Sequence, residues 1–551
     1  MRTLFFLPVS RMEKVFLIKF FLMRLILLIL LFPCFLVCSS QKLTTGGKLK
    51  PEQAIMDVRH YNIVLNVDTA KKSINGYTTI DVILSQAAPV LLFDLMDDLK
   101  VQAVSINGKS IPFTHRNSMI TINPVAPIPA GKASVKISYG GSPHIAIRPP
   151  WDDGFTWTSD STGNMWLAIT AEGTGGKIYF PCKDHPSDEP NEGMDMVITV
   201  PKNLVVAGPG LLQKVNKKKN TATYFWKTNY SINNYSIVFN AGVYDVVSKT
   251  YTTVSGNKVP MQFYVLKYHA AAAAHHLDVL ESMVKVKEKY FGEYPWVKEK
   301  IGIVETPHLG MEHQSMNAYG NKFRYTKVGG QDFDWLMNHE FGHEWWGNKV
   351  TAKDWADFWI HEGIASFGDQ LYVRDTEGEE AYIKFFKNMG MQNKTPVVQG
   401  KDIDGETAYI GDIYSKGAFF MHTLRYIIGD TIFFPALKKL ATDTRYTYDS
   451  LVNTDDVEQL FSQASGIDLK PLFDFYLRTI QKLGIQVTAQ AGKPDQYKIQ
   501  ITNFDMPLPV EILTDKGKQK FTLDRKGIII TSTVLPQIDP DRYYLKHVVI
   551  E

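Results

Sequence analysis

Two histidines four residues apart, His339 and His343, with Glu340 between them and Glu362 after a further gap of 18 residues, constrain this chain more than any other feature. Residues four apart on a helix project from one face, so a helix here brings two imidazoles to one point. A carboxylate that far downstream reaches the same point only if a second helix folds back against the first. Gln331 and Asp332 ahead of Phe333, Leu336 and Met337, with Gly347 and Asn348 behind, predict the first helix. A second is predicted from about Phe358 to Asp375, ended near Gly378, with Glu362 in its first turns. Two imidazoles and one Glu are a known donor set for one catalytic zinc ion that keeps its fourth position for water. Glu340 adjoins the first ligand without being one, and is placed to act as general base on that water. The competing reading is a buried helix with two hydrogen-bonded histidines. The bare motif arises by chance in roughly one chain in a hundred of this length, and a Glu inside a second helical segment counts against chance.

The rest of the chain divides by periodicity. From about Ile55 to Tyr251 the pattern alternates, as in Val135–Tyr139 and Met194–Val200, with Asn, Gly and Pro between runs, which predicts a β domain over residues 50–255. Helical spacing begins in His269–Phe291, where Leu277, Leu280 and Val284 recur and Gly292 ends the run. His275 and His276 in that run read as ordinary helix residues. A strand at Ile301–Val304 follows, and helices dominate from Phe333 to about Leu483, giving a catalytic domain over 256–483. Alternation returns in Tyr497–Ile501 and Val510–Leu513 and predicts a small β-sandwich over 484–551. The fold class is thus multidomain α+β. With 44% hydrophobic residues in 551, several cores are affordable in area, and a net charge of +3 argues against a nucleic-acid surface. The basic run Lys217-Lys218-Lys219 reads as a solvated hairpin turn.

At the amino terminus Arg24 precedes an apolar stretch from Leu25 to Val37, followed by Cys38-Ser39-Ser40. Residues 1–40 therefore read as a signal peptide, and the chain as exported to the periplasm, the cell envelope or the medium. Membrane association is expected only through that leader, kept as an uncleaved anchor, or through a lipid on Cys38, which Val37 disfavours. Cys182 alone remains in the mature body, so no internal disulfide is expected there.

The stretch His339-Glu340-Phe-Gly-His343-Glu-Trp-Trp-Gly-Asn348, the 18-residue gap and Trp359-Ile-His-Glu362-Gly together resemble the aminopeptidase N (membrane alanyl aminopeptidase) family. The resemblance implies a thermolysin-like catalytic domain that removes N-terminal residues from peptides. Leu309-Gly310-Met311-Glu312-His313 is similar to that family's Gly-x-Met-Glu-Asn signature, with Leu309 for the Gly and His313 for the Asn. It implies that Glu312, with Gly310 and Met311 around it, binds the substrate's free amino group. Glu172, in Ala171-Glu172-Gly173, falls where the family places a second anchor for the amine. Tyr414, in Tyr414-Ser-Lys416-Gly417, matches the tyrosine that stabilises the oxyanion, with Tyr409 as a further substrate contact.

The implied partners are peptides with a free N-terminus; no nucleic acid and no obligate protein partner are called for. Larger members of the family continue into a helical domain that caps the cleft, whereas the residues after Ile485 here read as a β-sandwich alone. The expectation is an open site that accepts longer peptides. Two alternatives stay in play. A zinc endopeptidase would share the metal set but has no use for Glu312 and Glu172 at the amine. A non-catalytic peptide-binding protein on the same fold would be expected to have lost a ligand or the base.

Overall fold

The computed structural model describes residues 44–551. The leader-like run, with Cys34 and Cys38, lies outside them. Among the described residues no helix is long and apolar enough to cross a membrane.

Residues 56–242 form β structure. An eight-stranded sheet takes its strands in the spatial order Leu211–Lys217, Thr221–Thr228, Met194–Pro201, Met56–Asp68, Ser73–Leu84, Gly131–Gly141, Leu99–Ile106 and Lys109–Ser110. Its neighbours are antiparallel except that Met56–Asp68 runs parallel to Met194–Pro201. The alternation explains the burial: Met194, Met196, Ile198 and Val200 face the core while Asp195, Val197 and Thr199 do not. A smaller sheet pairs Met165–Thr170 with Gly154–Ser159. The first of these strands ends two residues before Glu172.

The next region opens with a five-stranded sheet in the order Tyr244–Thr252, Lys258–Leu266, Ile301–Glu305, Asn317–Tyr319 and Gly310–Met311. Its first hairpin crosses residue 255. The helix Ala270–Phe291 connects the parallel strands Lys258–Leu266 and Ile301–Glu305, burying Ala273, Leu277, Leu280 and Val284 as the spacing predicts. Gly292, at φ +92°, ends it. Helices then follow, including Trp335–Glu340, Trp359–Glu377, Asp412–Ile428, Thr454–Ser465 and Lys470–Leu477. The C-terminal β region comprises a four-stranded sheet built on Leu483–Gln490 and a three-stranded one built on Leu508–Thr514.

One expectation is corrected. The first motif helix does not span 333–347: Gln331–Phe333 is a strand, Asp334 caps the helix by accepting from the Met337 amide at 3.1 Å, and the helix proper ends at Glu340. Beyond it the chain continues in tight turns, with the Gly342 amide bonding the His339 carbonyl at 2.7 Å and His343 bonding Glu340 at 3.2 Å. Gly342 packs against Ala365 of the second helix, where a Cβ would lie 3.3 Å from the Ala365 Cβ, and the tightened backbone keeps this segment close to that helix. The second helix runs Trp359–Glu377 with Gly378 at its C-cap, close to its expected bounds.

Candidate metal centre

His339, His343 and Glu362 converge. The two Nε2 atoms are 3.2 Å apart, and each lies 3.3 Å from Glu362 Oε2. A tetrahedral zinc with bonds of about 2.0–2.1 Å holds its ligand atoms about 3.3 Å apart, so the observed triangle has the size of one face of that tetrahedron. The other nitrogen of each ring is engaged: His339 Nδ1 with Asp369 Oδ2 at 2.9 Å, and His343 Nδ1 with the Trp346 carbonyl at 2.9 Å. Donating there puts the proton on Nδ1 and leaves both Nε2 lone pairs facing inward. Glu362 Oε2 is buried with no hydrogen-bond partner. Burial alone would raise the Glu362 carboxyl, but the facing histidines outweigh it and hold it below the usual carboxylate range. Burial likewise opposes charge on His343, yet Glu362 pushes it up to about 9. Three converging donors, two of them buried, that attract positive charge this strongly fit a dication.

Glu340 lies on the same turn as His339, and burial followed by the charge of Glu312 pushes it up to about 8. The Gly310–Met311 strand passes directly against it: a Cβ on Gly310 would sit 2.6 Å from Glu340 Oε1. A side chain at this position would have to displace that carboxylate and Leu336. Met311 and Glu312 are buried beside it. Glu312 accepts the Tyr235 hydroxyl at 3.0 Å, and its carbonyl accepts Asn348 Nδ2 at 2.7 Å. Asn348, the last residue of the motif segment, is itself held by Asn233 and Ser236, each at 3.2 Å. Glu172 reaches this group from the β domain. Burial, then the charges of Glu312 and Glu362, raise its carboxyl well above the usual range, and its Oε1 has no hydrogen-bond partner. Two carboxylates, Glu312 buried and Glu172 half-buried, are thus brought together next to the metal set.

Tyr414 stands on the Asp412–Ile428 helix and donates to Glu362 Oε1 at 2.9 Å. Two glycines make that reach feasible, because a Cβ on Gly363 would lie 2.8 Å from the Gly417 Cα. The two helices approach backbone to backbone one residue after Glu362 and three after Tyr414. Burial, then Glu362, holds the Tyr414 phenol well above its ordinary value, so it keeps its proton. Tyr409 is half exposed and its hydroxyl lies 3.0 Å from that of Tyr414.

All ten residues singled out from the sequence therefore gather here. Two others belong to the site without having been singled out. Asp369 follows Glu362 by seven residues on one helix, a spacing that returns to the same face and could have flagged it. Tyr235 has no such signal, since it comes from the short 3-10 helix Asn234–Ser236, far away in sequence. Outer carboxylates of this kind orient the imidazole and raise its basicity, so Asp369→Asn is expected to weaken zinc binding about 10–100-fold. Chelator competition measures this, with an unchanged circular dichroism spectrum as control.

Residues 275–476 match the peptidase family M1 domain. Among curated proteins, aminopeptidase N of Caulobacter vibrioides is 27% identical over 269 residues, 46% of this chain and 31% of that protein. Aminopeptidase N of Escherichia coli is 24% identical over 324 residues, 53% of this chain and 37% of that protein. Tricorn protease-interacting factor F2 of Thermoplasma acidophilum is 21% identical over 468 residues, 78% of this chain and 55% of that protein. The chain thus spans from about a third to just over half of these relatives. Among solved structures, the M1 zinc metallopeptidase of Deinococcus radiodurans superposes with a TM-score of 0.64 at 20% identity, over 79% of this chain and 96% of that one. A mutant of it bound to a Tyr-Ser-Ala substrate gives a TM-score of 0.65 at 20% identity, over 79% and 95%. The fold is that of the M1 peptidases.

Proposed function

We propose, for a chain whose residues 275–476 match the peptidase family M1 domain, that it is an aminopeptidase with one zinc ion, which removes the N-terminal residue from peptides. The observation that carries the reading is the pairing of buried Glu312 with half-buried Glu172 beside the His339, His343 and Glu362 triangle. Burial and the neighbouring Glu312 push the Glu172 carboxyl well up, because two like charges at one place repel each other. A substrate ammonium supplies the positive charge that offsets this repulsion, so the pair selects a free amino terminus. An endopeptidase has no use for such a pair.

Zinc held by His339, His343 and Glu362 would supply Lewis-acid polarisation of the scissile carbonyl and of the attacking water. Glu340 takes the proton from that water and passes it to the departing amine. Tyr414 donates a hydrogen bond from its hydroxyl to the oxygen of the tetrahedral intermediate. Glu312, fixed by Tyr235, sets the distance from ammonium to metal, and with it the place of cleavage one residue in. Substrates reach this site as free peptides. Export to the cell envelope belongs to the same proposal and is supported by the run Arg24–Val37.

The test is cleavage of one peptide in free and amino-acetylated forms by the zinc-loaded protein, with and without chelator, followed by mass spectrometry. Stepwise, chelator-sensitive loss of residues from the free form alone is expected. Internal cuts in both forms would make the protein an endopeptidase, and no cleavage by a zinc-loaded sample would leave a peptide-binding role.

A further inference from the structure

The described residues begin with the segment Thr44–Gly47, which runs between the loop carrying Glu172 and the segment leading to Tyr409. On one side the Thr45 amide donates to the Gly173 carbonyl at 2.9 Å, next to Glu172. On the other, the Gly405 amide donates to the Thr45 carbonyl at 3.0 Å, Gly47 donates to the Ile403 carbonyl at 3.1 Å, and Gly46 forms a bridge with Asp404. Side chains add to both ends. Thr44 Oγ1 accepts the Glu406 amide at 3.1 Å, while Lys177 Nζ and His185 Nε2 reach the carbonyls of Thr44 at 2.5 Å and Gly47 at 2.9 Å. Thr45 is buried, and beneath it a cavity of about 30 Å³ is lined also by Asp184, Tyr235, Trp355 and His361. Gly46 has φ +79°, and a Cβ there would lie 2.3 Å from the Trp355 indole. The segment therefore fits between its two neighbours only as it stands.

We propose that Thr44–Gly47 is a positioning strap that holds the Glu172 loop at its working distance from the zinc-bearing helices. The inference rests on the amine-binding role given to Glu172 above. The loop is held from its far side by Asp153, whose Oδ2 accepts the Thr174 amide at 2.6 Å, so the strap supplies the constraint on the side of the catalytic helices. Tyr414, by contrast, is anchored within its own helix against Gly363. Loosening the strap therefore acts on Glu172, which grips the ammonium in ground state and transition state alike. A loss of such uniform binding appears in KM and not in kcat.

The experiment compares the full chain with its Gly46→Val and Thr44→Val variants, each zinc-loaded and assayed on a free-amine tripeptide. In Gly46→Val the added side chain meets Trp355, and KM is expected to rise about tenfold or more with kcat within about threefold. Zinc content stays at the parent level, and hydrogen exchange quickens at the Gly405 and Glu406 amides. Thr44→Val keeps the shape, loses the Glu406 bond and moves KM the same way by less; it decides the matter if Gly46→Val does not fold. Faster exchange with an unchanged KM overturns the proposal, as does a fall in kcat with KM constant. If the parent chain itself cleaves no free-amine peptide, the functional reading has failed, and this is seen before any variant is compared.

Discussion

Glu340→Gln in the zinc-loaded protein is expected to lower kcat by about 10³-fold or more while zinc stays bound at one per chain, since positioned acid–base groups typically contribute about 10²–10⁴-fold. The substitution is nearly isosteric, so the tight contact with the Gly310 backbone survives. It removes one of the negative charges crowded around Glu312, and burying an amide there costs less than burying a carboxylate, so the thermal midpoint holds or rises. None of the ligand atoms is touched, because the triangle is formed by His339, His343 and Glu362 alone. What disappears is the proton acceptor. Metal analysis and steady-state kinetics on the same sample separate the two effects. Activity within tenfold of the parent would remove Glu340 from the role of base, and loss of zinc would show that it supports the metal instead.

The helix that carries Glu362 was legible to within two residues at each end, because its apolar spacing and the terminal Gly378 are both local signals. The first motif helix was not. Its composition reads as helical through Trp346, but His343 is delivered by a tightened backbone that packs on Ala365, and that close approach is a tertiary fact. The convergence of Glu312 and Glu172 was legible only through resemblance, since no periodicity links a β-domain turn to an edge strand 140 residues later. The same holds for Tyr235, which fixes Glu312 from the short 3-10 helix Asn234–Ser236, and for Thr44–Gly47, whose sequence shows nothing but two adjacent glycines. Gly363 and Gly417 lie between these cases. Each stands within three residues of a functional side chain, yet neither reveals alone that it meets the other at backbone distance.

The second large effect is expected at Tyr414. Tyr414→Phe keeps the ring, whose centroid lies 5.9 Å from that of His339, and deletes only the hydroxyl. That hydroxyl rests on Glu362 Oε1 at 2.9 Å, a contact that helps orient a ligand carboxylate, so the variant could act through the metal or through the reaction. The two routes leave different marks. A donor to the oxyanion acts when charge develops, so kcat is expected to fall about 10²–10³-fold, or about 2.7–4 kcal/mol, with KM little changed. An orienting contact alone would weaken zinc binding and be rescued by excess metal. The environment favours the first route: burial and Glu362 keep the phenol protonated far above the working pH, so it remains a donor throughout. The pH profile of the parent enzyme should accordingly carry no limb from Tyr414, and excess zinc should restore nothing to the variant. Recovery of activity with added zinc would assign Tyr414 to the ligand sphere and leave the oxyanion to the metal. Tyr409→Phe serves as the internal comparison. Its hydroxyl reaches the site only through that of Tyr414, 3.0 Å away, so its loss should cost far less.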